Sequence, residues 1–126
     1  DVKDLLSIDY TSAYSTPSLD KLVRTFVYDR QGKGNFTVGD EFTANAPIRF
    51  ETAITTQANW KIIDDTHLLL TTGTEQMTVT IEASGKVAFT SETIEVNSPA
   101  YTRIGISLKE QSKDGYIRLT MRTKQL

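Results

Sequence analysis

The sequence predicts an all-β domain: an antiparallel β-barrel of about eight short strands, opened by a short N-terminal helix. Three observations point there. Threonine and other β-branched residues are abundant while alanine and leucine are sparse, and branched side chains lose rotamer freedom in helices but fit a pleated surface. Apolar and polar residues alternate over most of the chain, the period-two pattern of half-buried strands. Turn signals recur at hairpin spacing, and closure is expected because it removes exposed sheet edges.

Only Val2 to Leu6 reads as helical, with Asp1 as N-cap and Leu5 and Leu6 directed inward. Ile8, Tyr10 and Tyr14 form a first strand that ends at Thr16-Pro17-Ser18, and Leu19 to Asp29 a second. Two glycines in Asp29-Arg30-Gln31-Gly32-Lys33-Gly34 supply the backbone freedom of a hairpin turn. Phe36, Val38 and Phe42 mark the third strand, with Gly39 as a bulge. The fourth alternates most clearly, Ile48, Phe50, Thr52 and Ile54 on one face against Arg49, Glu51 and Thr55 on the other.

Trp60 and Ile62 open a fifth strand that turns at Asp64-Asp65; His67 to Thr71 is the sixth, followed by a turn at Gly73-Thr74. Met77, Val79 and Ile81 face inward on the seventh, and Ser84-Gly85 leads into Val87 and Phe89. Thr90 to Ala100 fits a strand, a short helix or a crossover. Ile104, Ile106 and Leu108 are expected to pair with Ile117, Leu119 and Met121 across a turn at Lys113-Asp114-Gly115.

With 126 residues the chain reads as one domain over 1–126, large enough to bury roughly two thirds of its unfolded surface. It has no cysteine, which excludes disulfides and thiolate metal sites. Its 14 basic and 16 acidic residues are scattered, whereas nucleic-acid binding needs a concentrated positive face. No apolar run reaches membrane-spanning length. The chain opens at Asp1, so a processed fragment with a signal or membrane anchor upstream is expected.

No residue is expected to be catalytic, and no metal or cofactor is implied. A single histidine, His67, rules out a histidine cluster, and it reads as a strand-end residue beside a turn. No serine lies in a Gly-x-Ser-x-Gly elbow. Asp64-Asp65 is ordinary turn chemistry, since adjacent strand residues point to opposite faces. Asp40 and Glu41 lack the spaced oxygens of a calcium loop. Gly32-Lys33-Gly34 is too short for a phosphate loop, and Asn35-Phe36-Thr37 is a glycosylation sequon only in a secreted eukaryotic chain.

The apolar stripes carry more. Tyr10, Phe26, Phe36, Phe50, Thr52 and Ile54 are candidate ligand-binding residues, together with Trp60, Ile62, Met77, Ile104 and Met121. Alternation of this kind suits both a filled core and a lined pocket, with Tyr10, Thr52 or Arg24 as polar groups at its mouth.

Four segments also carry a resemblance. Val2-Lys3-Asp4-Leu5-Leu6-Ser7, the stretch Val23 to Gly34 with Tyr28 before Gly32, Trp60-Lys61-Ile62-Ile63-Asp64-Asp65 and His67-Leu68-Leu69-Leu70 resemble the periplasmic domain of the ToxS and VtrC type. These are the small partner subunits of membrane-bound transcription regulators in enteric and marine bacterial pathogens. The pattern covers the first two thirds of the chain, and a shortened segment after Ser84 makes VtrC the nearer likeness. The resemblance implies a lipocalin-like barrel in the periplasm, anchored to the inner membrane. It further implies a heterodimer with the regulator's periplasmic domain, enclosing a hydrophobic chamber for bile salts that controls virulence gene expression. A stand-alone carrier of a small apolar molecule and a purely structural β domain are the alternatives.

Overall fold

A computed structural model of the chain describes residues 3–13, 17–31, 34–95 and 100–125. The expectations placed on Asp1, Val2, Tyr14, Thr16, Gly32, Lys33 and residues 96–99 lie outside them. Among the described residues ten strands run in chain order: β1 (Lys3–Asp9), β2 (Leu19–Asp29), β3 (Asn35–Ile48), β4 (Glu51–Thr56), β5 (Asn59–Asp64), β6 (His67–Thr72), β7 (Glu75–Ala83), β8 (Val87–Ile94), β9 (Tyr101–Leu108) and β10 (Ser112–Gln125). A 3₁₀ turn at Thr11–Ala13 follows β1.

The strands form two antiparallel sheets and not a closed barrel. A seven-stranded sheet has the order β1-β2-β3-β10-β7-β6-β5, and a three-stranded sheet the order β4-β9-β8. Closure would require β1 to meet β5, and both instead end the large sheet as edges.

The N-terminal helix is likewise replaced by a strand. Five residues are too few to repay helix nucleation, whereas β1 pairs residue for residue with β2, from Lys3–Asp29 to Asp9–Val23. Leu5 and Leu6, expected inside, therefore point to opposite faces and are 72% and 55% exposed.

Aligned pairings turn the inner face of the large sheet into rows. One row runs Asp4, Tyr28, Phe36, Met121, Val79, Leu68, Ile62 across all seven strands. The next runs Leu6, Phe26, Val38, Leu119, Ile81, and a third Ile8, Arg24, Asp40, Ile117, Ala83. The outer face carries much of the threonine, as in the Thr37–Thr120 hydroxyl pair at 3.2 Å.

Ile104, Ile106 and Leu108 do not pair beside Ile117, Leu119 and Met121. β9 pairs with β4 and β8, and β10 with β3 and β7, so the two stripes belong to different sheets and meet face to face in the core. Lys113-Asp114-Gly115 accordingly lies within β10, at an irregularity between Ser112 and Asp114. Gly39 makes no bulge; it pairs in register with Arg118 and Thr25. The alternation of Ile48, Phe50, Thr52 and Ile54 spans the crossing from one sheet to the other, with Arg49 and Phe50 as the link. Phe50 stacks on Phe42 there, with centroids 4.6 Å apart.

Candidate functional site

The small sheet covers only part of the large one. Under it Leu68, Val79, Ile81, Ile117 and Leu119 are buried against Ile104, Ile106 and Leu108. Toward β1 the cover ends. Leu6, Tyr28 (43% exposed) and Phe36 (37%) remain open to solvent on the inner face of β1, β2 and β3. Phe26 lies tilted against Phe36, at 6.2 Å between centroids. This is an apolar shelf.

Polar pairs bound the shelf. At one end the Arg24 guanidinium donates to both oxygens of Asp40, at 2.6 and 2.8 Å, and lies 5.4 Å from the Tyr10 ring centroid. At the other end Arg30 pairs with Asp4.

A cleft opens where the two sheets part at the ends of β4, β6 and β7. It holds about 310 Å³ and is walled by Ile54, Ala58, Leu70, Met77 and Met121, with Gln76 among the polar residues at its border. Trp60 stands directly across from Leu70 on β5. Met121 pairs with Phe36, so cleft and shelf share a border. Two other depressions have charged walls: one of about 460 Å³ between Lys86, Lys109, Glu110 and Asp114, and one of about 260 Å³ above Gly39 beside Glu41 and Arg118. Both are lined by a much larger share of polar surface than the cleft.

The candidate residues thus separate into groups. Ile54, Met77 and Met121 line the cleft, with Trp60 adjacent. Phe26 and Phe36 form the shelf, and Tyr10 closes its polar end. Phe50, Thr52 and Ile104 are buried; they are packing. Ile62 is exposed on the edge strand β5. Leu6, Tyr28 and Leu70 were not among the candidates. The row register joins them to the site, and alternation within one strand carries no information about register between strands.

The other polar cluster is local. His67 Nδ1 lies 2.8 Å from Asp64 Oδ1, which also accepts the Thr66 backbone N–H at 2.9 Å. The Thr66 amide and then the His67 side chain hold the Asp64 carboxyl below the ordinary carboxylate range.

Comparison adds no relative: no family model matches the chain, and neither does any curated protein. Among the described residues no helix is long and apolar enough to cross a membrane.

Proposed function

We propose that this chain is a non-enzymatic binding subunit that seats a second chain on its apolar shelf, the two together holding an amphipathic ligand over the cleft. The observation that carries the reading is the Phe36–Met121 pairing, which makes shelf and cleft one continuous apolar surface. In the fuller form the partner is the periplasmic domain of a membrane-bound transcription regulator, and the ligand is a bile salt or similar steroid. The complex then sits at the bacterial inner membrane and controls virulence genes, as the resemblance implies.

Cleft size favours this over the stand-alone carrier. Small-molecule pockets run from roughly 300 to 1,000 Å³ and enclose most of their ligand. An open cleft of about 310 Å³ holds one face of a steroid and needs a second wall. Covering about 200–300 Å² of steroid face contributes about 5–8 kcal/mol before ordering costs, which sets the expected affinity at micromolar or weaker.

The test is co-purification with and without the regulator's periplasmic domain, followed by deoxycholate titration read through Trp60 fluorescence. The expected result is a complex that binds deoxycholate, while the chain alone binds it poorly. Phe36→Asp should prevent the complex from forming. A chain that binds neither regulator nor deoxycholate, or a complex indifferent to Phe36→Asp, would overturn the reading.

A further inference from the structure

The two sheets leave four edge strands: β1 and β5 on the large one, β4 and β8 on the small one. An edge strand exposes backbone donors and acceptors that a further strand can take up. What differs among the four is the placement of charge. β4 carries only Glu51 and β8 only Glu92. On β5 the register slips between Ile62 and Asp64, and this bulge interrupts any regular two-fold pairing of the strand that would set Lys61 against Asp64.

β1 is different. Its sequence is Lys-Asp-Leu-Leu-Ser-Ile-Asp over Lys3–Asp9, with Leu6 at the centre. An antiparallel pairing of two copies about Leu6 sets Leu6 against Leu6, Leu5 against Ser7, Asp4 against Ile8, and Lys3 against Asp9 at both ends. All seven residues are paired, each opposite a residue on its own face. Lys3 is 63% exposed, and its ion pair with Asp29 is long, at 3.9 Å. Asp9 is held at the strand end by two bonds from Thr11, its N–H at 2.9 Å and its hydroxyl at 2.6 Å. Leu5 and Leu6 are the two most exposed large apolar side chains described.

We infer that β1 is a self-pairing edge, through which two copies of this chain join their large sheets in an antiparallel two-fold dimer centred on Leu6. The interface is isologous, so each favourable contact occurs twice. It joins the two apolar shelves edge to edge, since Leu6 belongs to both. Seven residues a side is well below the 20–30 or so of a standard interface. The dimer is therefore weak, seen at roughly 0.1–1 mM protein, and it weakens as salt screens the Lys3–Asp9 pairs.

Sedimentation of the 126-residue chain, without regulator or bile salt, tests this apart from the proposed function. The wild type should show a monomer–dimer equilibrium at low salt. Lys3→Asp and Asp9→Lys should each be monomeric, because like charges then face one another, and an equimolar mixture of the two should dimerise again. Since Asp9→Lys also loses the Thr11 bonds, a second pair acts at the exposed centre: Leu6→Lys and Leu6→Asp, monomeric alone and dimeric when mixed. Circular dichroism checks that each variant is folded. A wild type that stays monomeric to about 1 mM, a dimer that survives Lys3→Asp and Leu6→Lys, or a Leu6 mixture that fails to associate overturns the inference.

Discussion

Arg24 and Asp40 face each other across β2 and β3 in a forked pair, with Nε on Oδ1 at 2.6 Å and Nη2 on Oδ2 at 2.8 Å. Asp40 is only 3% exposed, on the inner face between Val38 and Phe42, and Arg24 occupies the matching position between Leu22 and Phe26. Two charges thus stand where alternation alone calls for apolar residues. Each is tolerated because the other supplies its missing solvation, and the pair ends the apolar shelf.

Removing one partner should cost more than removing both. Arg24→Ala leaves a buried carboxylate without its fork and is expected to lower stability by about 2–4 kcal/mol. The double change Arg24→Leu with Asp40→Leu should cost far less, because nothing charged remains to be desolvated. Urea unfolding of wild type, Arg24→Leu, Asp40→Leu and the double variant measures the coupling. An additive cycle would show that the pair is incidental to stability.

Gly115 is the tightest glycine against the core. A Cβ there would lie 2.7 Å from Ser84 Oγ, 3.0 Å from Phe42 Cε1 and 3.2 Å from Leu108 Cδ1. Ser84 can rotate away, but Phe42 and Leu108 are buried among other core side chains. Gly115→Ala should therefore destabilise by about 1–3 kcal/mol through overpacking, read as a lowered melting temperature. Gly85→Ala, with nothing within 4 Å of its Cβ, is the matched control and should barely move it.

How much of this was legible in the sequence depends on distance along the chain. Strand β2 runs from Leu19 to Asp29 as its residues predict, and the β6–β7 turn falls at Gly73-Thr74. Both are local matters of side-chain period and turn chemistry. Which strand neighbours which is not local. Ile104 and Ile117 carry the same alternation whether they pair in one sheet or pack between two, so the β9–β10 connection was misread. Leu5 and Leu6 show the same limit at the N-terminus, where pairing with Val27 and Phe26 decided the conformation. The site followed suit: Met77 and Met121 were identifiable as inward-facing, but their opening into a cleft depends on where the small sheet stops.

Acid should act on the β5–β6 turn late. The Thr66 backbone N–H and the His67 side chain favour the charged Asp64 carboxylate, so its folded value is depressed below its unfolded one. Stabilisation from a depressed group is present above the unfolded value and lost as pH falls through the folded one. Side-chain carboxyl NMR should give Asp64 a midpoint below that of an aspartate in an unstructured peptide. Exchange of the Thr66 amide should quicken only in that lower range. A midpoint at or above the peptide value would mean the turn bonds do not persist in solution.

Ile104 and Met121 separate packing from binding. Ile104 is fully buried, pairs with Ile54 and belongs to the core cluster; truncation to alanine should cost about 2–5 kcal/mol by removing transfer energy and leaving a cavity. Met121 is half-buried and lines the cleft beside Ile54 and Met77, so Met121→Ala opens existing space and should cost about 1–2 kcal/mol. Its larger effect should fall on the guest, because a deeper cleft presents less surface to a steroid face. Unfolding curves and deoxycholate titrations of the two variants, the latter in complex with the regulator domain, are expected to rank them in opposite orders. Equal losses of binding at matched folded fraction would mean that the cleft wall contributes nothing specific.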